Sequence, residues 1–271
     1  MSAAPKLESS KVKYALESGV ATLTLSDPTT MNAIGIDMAN ELRMTLARAA
    51  SEARAILLTG EGRAFCSGAN LSASRAPDAA QSGPDPRDAG AALESTYNPL
   101  VTAVRDLPIP IVTAVNGAAA GVGCSLALLG DLIVAGESAY FLQAFRRIGL
   151  IPDGGSTFLL PRLVGRARAL ELMLLGERLP AAKAEEWGLI HRCVADADLM
   201  PAAMACARDL ADGPTRALGL IRKLAWASAD NTLQEQLAAE RGAQRQAGHS
   251  SDFVEGVTAF LQKRPARFTG A

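Results

Sequence analysis

Histidine is scarce in this chain: His191 and His249 are the only two among 271 residues. That argues against an imidazole-built zinc site and against a Ser-His-Asp triad, and no metal is expected. The four cysteines, Cys66, Cys124, Cys193 and Cys206, show no paired metal-ligand spacing and lie in apolar segments. They are read as reduced thiols of a cytoplasmic protein. Net charge is also nearly absent, at -1 with a pI of about 6.2, and no local basic patch offsets it, so neither nucleic acid nor an anionic membrane is an expected partner. No apolar run reaches the roughly 18 residues that a membrane span requires. Residues 1–10 lack the apolar centre of a signal peptide, so export is not expected either.

What the chain has is apolar residues in changing periods. With 49% hydrophobic residues and a mean hydropathy of +0.13, it can bury one large core, or one core plus a helical appendage. Val12, Tyr14 and Leu16, then Ala21, Leu23 and Leu25, alternate with polar neighbours and predict two half-buried strands joined near Gly19. Met38, Leu42, Leu46 and Ala49 recur at helical spacing. Residues 55–59, 111–115 and 132–135 are short continuous apolar runs, as expected of buried strands. From Asp153 onward the pattern is mostly helical, with Leu218, Ile221 and Leu224 forming a stripe and Pro214 at an early helical position. Thr232 with Glu235 and Asp252 with Glu255 resemble capping boxes. These signals predict an α/β core over residues 1–200 and a helical region over 201–271. Residues 73–90, rich in Pro, Ala, Asp, Ser and Gly, interrupt the periodicity and read as a mobile loop.

Two glycine-containing loops stand out. One is Arg63-Ala64-Phe65-Cys66-Ser67-Gly68-Ala69-Asn70; the other runs from Asn116-Gly117 through Gly121-Val122-Gly123 into an apolar stretch at 124–129 that predicts a buried helix. Taken singly, each is an ordinary tight turn of an α/β protein. Together, and in this order, they resemble the oxyanion loops of the crotonase, or enoyl-CoA hydratase/isomerase, family. The likeness extends to Asn32-Ala33-Ile34, residues 149–157 and 174–188, and the closing segment with Phe260, Lys263 and Arg264.

The resemblance implies a crotonase-like (ClpP/crotonase) α/β spiral of β-β-α repeats with a C-terminal helical region, assembled as a homotrimer or hexamer. It implies an acyl-CoA thioester as substrate, with coenzyme A entering only as part of that substrate and no separate cofactor. Carried over by position, the Ala69 and Val122 amides form the oxyanion hole. Ala33, Ala64, Ser67 and Leu71 lie along the pantetheine and adenine path, and Phe260 and Lys263 reach a neighbouring subunit's nucleotide. The family's frequent basic residue before Asn-Ala is replaced here by Thr29 or Thr30, and residues 73–90 border the acyl pocket as either a lid or a solvated insertion.

The departures narrow the chemistry. Removing a proton alpha to a thioester charges the carbonyl oxygen, and fixed peptide N–H groups stabilise that charge. Hydration also needs a base for water and an acid for carbon, which the family's hydratases supply with two glutamates; those positions hold Ser125 and Phe145 here. Asp153, in Ile151-Pro152-Asp153-Gly154-Gly155, matches the aspartate of the family's isomerases, and residues 141–162 are closest to those of phenylacetate breakdown. One carboxylate suffices to move a double bond. By itself Pro-Asp-Gly-Gly is equally a turn with a helix cap. Burial against Phe141 and Phe145 would raise the Asp153 pKa and a following helix N-terminus would lower it. Three other readings stand beside the isomerase: an enoyl-CoA hydratase of low activity; a nucleophilic aspartate as in aryl-CoA dehalogenases, which also need a pocket histidine and tryptophan, whereas His191, His249, Trp187 and Trp226 all lie in the later helical region; and a non-catalytic acyl-CoA binder.

Overall fold

Alternation of apolar and polar residues makes the first two strands, and continuous apolar runs make the buried ones. The computed structural model describes residues 10–70 and 88–271. Strands β1 (Val12–Glu17) and β2 (Val20–Leu25) pair antiparallel across Ser18-Gly19, and α1 (Ile36–Glu52) buries Met38, Leu42, Leu46 and Ala49. Then come β3 (Ala55–Gly60), β4 (Ala64–Cys66) and a π-helical turn (Leu93–Tyr97) that runs into α2 (Asn98–Arg105). Next are β5 (Ile111–Val115), β6 (Ala118–Ala120), α3 (Val122–Leu128), β7 (Leu132–Gly136), β8 (Tyr140–Leu142) and α4 (Ser156–Leu175). They are followed by β9 (Arg178–Pro180), α5 (Ala181–Glu186), β10 (Arg192–Val194), α6 (Leu199–Asp212), α7 (Thr215–Ala227), α8 (Leu233–Gly248) and α9 (Ser251–Leu261).

Successive strand pairs β3/β4, β5/β6 and β7/β8 each give one strand to each of two sheets, and each pair is followed by a helix. The six-stranded sheet has the order β1-β2-β3-β5-β7-β10, parallel from β2 onward. The four-stranded sheet has the order β4-β6-β8-β9, with only β9 antiparallel. This is the spiral of β-β-α turns. The continuous apolar runs follow from it, because both sheet faces are covered. In β3, Ile56 and Leu58 point into the main core with α1, whereas Ala55 and Leu57 meet α6 on the other face. Helix α6 presents Leu199, Ala203, Ala207 and Ala211, spaced by one turn, and the small residues let its backbone approach the sheet.

Several local expectations change. The boundary read at 200/201 falls within α6, whose Leu199, Ala203, Ala207 and Ala211 pack on the α/β sheet. Pro214 is the N-cap of α7 rather than a residue within it. The buried face of α7 is Thr215, Gly219 and Arg222, while Ile221 of the predicted stripe is 61% exposed. Arg222 wins that face because its guanidinium pairs with Asp131 at 2.7 Å and donates to the carbonyls of Val104, Arg105 and Leu107 where α2 ends. Thr232 and Glu235 form the expected capping box. Asp252 and Glu255 do not: Ser250 caps α9, Asp252 accepts from the Thr269 and Gly270 amides, and Glu255 pairs with Arg264. Among the described residues no helix is long and apolar enough to cross a membrane. Leu71 and residues 73–87 of the interrupting loop lie outside the described residues.

Candidate active site

The parallel pairing of β4 with β6 sets Ala64 opposite Ala118 and Cys66 opposite Ala119, which brings the ends of the two glycine loops side by side. Their approach is backbone to backbone. A Cβ on Gly123 would lie 2.3 Å from the Cys66 carbonyl oxygen, so only glycine fits there. Val122 opens α3, and its N–H, at the first helical position, has no carbonyl behind it. Ala69 forms a parallel bridge with Ile34: the Ile34 amide donates to the Gly68 carbonyl at 2.8 Å and the Asn70 amide donates to the Ile34 carbonyl at 3.1 Å. In such a bridge the middle residue turns its own N–H to the opposite edge. The Ala69 amide therefore faces away from Ile34, and Ala69 is exposed.

Asn32 explains the Asn-Ala motif. It adopts a positive φ of 56°, which asparagine tolerates, and is fully buried. Its side chain accepts from the Asp27 amide and donates to the Glu61 and Ala64 carbonyls, clamping the Ala33 loop against β4. Ser67 donates its hydroxyl to the Thr30 carbonyl at 3.0 Å. Ala64 is wholly buried in β4. Ala33 remains partly accessible beside Thr30, whose hydroxyl accepts its amide at 3.3 Å. Phe260, 82% exposed, lies in the last turn of α9, and Lys263 follows just beyond its end.

The acid lies between α3 and α4. A Cβ at Gly154, where φ is 60°, would sit 2.7 Å from the Ser125 Cβ and 3.3 Å from a Val122 methyl, so the Asp153-Gly154 turn rests directly on the first turns of α3. Ser125 holds it there. Gln143 Nε2 donates to Ser156 Oγ at 3.0 Å, the two hydroxyls of Ser156 and Ser125 are 2.7 Å apart, and Ser125 Oγ donates to the Asp153 carbonyl at 2.9 Å. Each hydroxyl can then give one proton and accept another, a consistent chain from Gln143 to the backbone of Asp153. That carbonyl also accepts the Ser156 amide at the start of α4, whose N-cap is Gly155, and the Asp153 side chain makes no capping bond. Its carboxylate is left without compensation. Oδ1 is buried with no hydrogen-bond partner, and burial pushes the pKa up to about 6 from 3.8. Desolvation thus prevails over the helix N-terminus.

Tyr97, buried near the acid, has its phenol pushed up to about 12 by burial and then by the Asp153 charge. Burial likewise raises Cys66 to about 11 and Cys124 to about 12, so neither thiol behind the loops ionises near neutrality. The Phe145 ring packs at Gly121 and is itself 7% exposed. Beyond Gly155 a cavity of about 950 Å³ opens, bordered by Val101, Phe158, Leu159 and Trp226. Trp226 returns from α7 to stack on Phe158 at 6.5 Å.

Residues 15–271 match the enoyl-CoA hydratase/isomerase family. The chain belongs to that family. It is 48% identical over 257 residues to the 1,2-epoxyphenylacetyl-CoA isomerase of Escherichia coli K12, covering 94% of this chain and 97% of that protein. It is 46% identical over 259 residues to a Rhodobacter capsulatus protein named a probable enoyl-CoA hydratase, covering 96% and 98%. The crystal structure of an enoyl-CoA hydratase from Polaromonas sp. JS666 superposes with a TM-score of 0.86 at 34% identity, covering 95% of this chain and 99% of that one. The protein is an enzyme of the enoyl-CoA hydratase/isomerase family, whose members act on acyl-CoA substrates, and it has the crotonase fold. Ser125 and Phe145, the two departures, are both buried structural residues. Tyr97, Gln143, Ser156 and Arg222 are the residues that sequence reasoning missed. Neither Gln143, Ser156 nor Tyr97 carries a signal of its role in its own stretch of sequence.

Proposed function

We propose that the enzyme is an enoyl-CoA isomerase in which Asp153 is the single acid and base. The observation that carries this reading is a carboxyl oxygen, Oδ1 of Asp153, buried without a hydrogen-bond partner in a turn whose Gly154 rests on the helix that begins at Val122. The thioester oxygen accepts from the N–H groups of Ala69 and Val122. Ionised Asp153 takes a proton from the carbon alpha to the thioester, and the electron pair spreads as a dienolate whose charge rests on that oxygen. Asp153 then returns the proton to the gamma carbon, so the double bond moves and no water or cofactor is consumed. A base whose pKa lies near neutrality is well matched to taking and returning the same proton. The likeness to the E. coli isomerase favours the same direction.

Hydration is disfavoured because the chain offers Ser125, wholly buried and committed to the Asp153 carbonyl, where a second acid would have to stand. A nucleophilic aspartate lacks its histidine: the His191 amide is bound to Ile133 at the β7 edge and the His249 ring to Arg245 at the end of α8. Coenzyme A is part of the substrate, approached along Ala33 and Ser67, and no separate cofactor is required. The working form is a trimer or hexamer, because α9 leaves Phe253, Val254, Val257, Phe260 and Leu261 between 44% and 82% exposed. Free, non-paired cysteines fit a cytoplasmic location. The test is a panel of short, long and aromatic enoyl-CoA thioesters followed for double-bond migration and for hydration. Migration without hydration is expected, and efficient hydration with no migration refutes the proposal.

A further inference from the structure

Tyr97 takes no part in the chemistry above, yet it is buried where the oxyanion loop, α2 and the acid meet. It closes the π-helical turn Leu93–Tyr97, a wide turn of a kind that recurs at functional sites because the extra residue re-aims a side chain. Its hydroxyl donates to the Ile34 carbonyl at 2.9 Å. That carbonyl is the one that accepts the Asn70 amide, while the Ile34 amide holds Gly68. The Ile34 carbonyl is therefore shared by the Tyr97 hydroxyl and the Asn70 amide, and both residues flanking Ala69 are tied to Ile34. Removal of one oxyanion donor costs roughly 100- to 1000-fold in rate, and a donor that is only mis-aimed costs part of that. The phenol stays protonated through the whole working range, so the donor is always present.

Resting on the oxyanion role proposed for Ala69, we infer that Tyr97 is a positioning residue: its hydrogen bond to Ile34 fixes the bridge that aims the Ala69 amide at the thioester oxygen. Tyr97→Phe keeps the ring and removes only this bond, and Ile34 keeps its Asn70 donor, so the variant should fold with a melting temperature close to the wild type. The discriminating measurement is the carbonyl stretching frequency of cinnamoyl-CoA bound to the intact enzyme, which reports how strongly the N–H donors polarise the thioester and needs no turnover. Wild type and Asp153→Asn should lower that frequency equally, and Tyr97→Phe should lose about half of the shift. Isomerisation kcat should fall about 10-fold with KM changed less than about threefold. A merely structural tyrosine would change stability and leave the carbonyl frequency of the bound probe where it was. A full wild-type shift in Tyr97→Phe, with kcat within about twofold, overturns the inference and leaves the isomerase reading standing. A wild-type complex with no shift overturns the oxyanion role itself, and this inference with it.

Discussion

Replacing Asp153 by asparagine should separate what the carboxylate does for the reaction from what it costs the fold. Its Oδ1 is buried without a partner and its pKa rises from 3.8 to about 6. Because the folded value lies above the unfolded one, folding favours the protonated acid. The stability tied to this group is fully present below about 4 and is lost as pH rises through about 6. The rise is equivalent to roughly 3 kcal/mol as an upper bound. The side chain is only partly buried and solvent screens it, so about 1 kcal/mol is the working figure. Asp153→Asn should therefore melt about 2 °C higher than wild type at pH 7.5, and the difference should vanish near pH 4. The rate should move the other way. Wild-type kcat/KM should rise with pH to a plateau above about 6, and the asparagine enzyme should be slower by roughly 100-fold or more with thioester binding retained. Calorimetry at both pH values, paired with an isomerisation assay in deuterated water, reads both effects. Solvent deuterium should enter the alpha or gamma carbon only with the wild type. An asparagine variant that isomerises a good substrate at the wild-type rate would reduce Asp153 to a turn residue, and a variant less stable at pH 7.5 would refute the desolvation argument.

Ser125→Glu should not restore hydration of crotonyl-CoA; Ser125 is wholly buried beneath Gly154, so the longer acid should displace the Asp153 turn and lower isomerisation as well. Strong hydration by this variant, or by the wild type, would contradict that. Arg222→Ala should destabilise the protein by about 3 kcal/mol, the low end for a broken buried pair because the Asp131 side chain is 25% exposed; urea unfolding checks it, and a change under about 1 kcal/mol would show that water replaces the guanidinium. Light scattering at micromolar concentration should show a trimer or hexamer, with Phe260→Asp shifting it toward monomer, whereas a monomeric wild type would refute the assembly. Acyl-CoA thioesters should raise the melting temperature by mass action while NAD and ATP leave it unchanged.

The sequence alone was enough for those features that depend on local period and local chemistry. Two-residue alternation marked β1 and β2, continuous apolar runs marked β3, β5 and β7, and the spacing of Met38, Leu42 and Leu46 marked α1, because each pattern reflects how many faces of one element are buried. The glycine loops and Asp153 stood out through their combined resemblance to the enoyl-CoA hydratase/isomerase family; singly, each reads as a turn. Tertiary structure decided the rest, because it depends on which distant segments meet. Helix α7 shows this, since its apolar stripe lost the buried face to Arg222 only once Asp131 and the end of α2 were brought beside it. Ser125 shows it again, since nothing around residue 125 reveals that its hydroxyl holds the carbonyl of residue 153. The direction of the Asp153 pKa shift was open in the sequence, because burial and a helix N-terminus oppose each other; the fold decided it by turning the carbonyl, and not the carboxylate, toward α4.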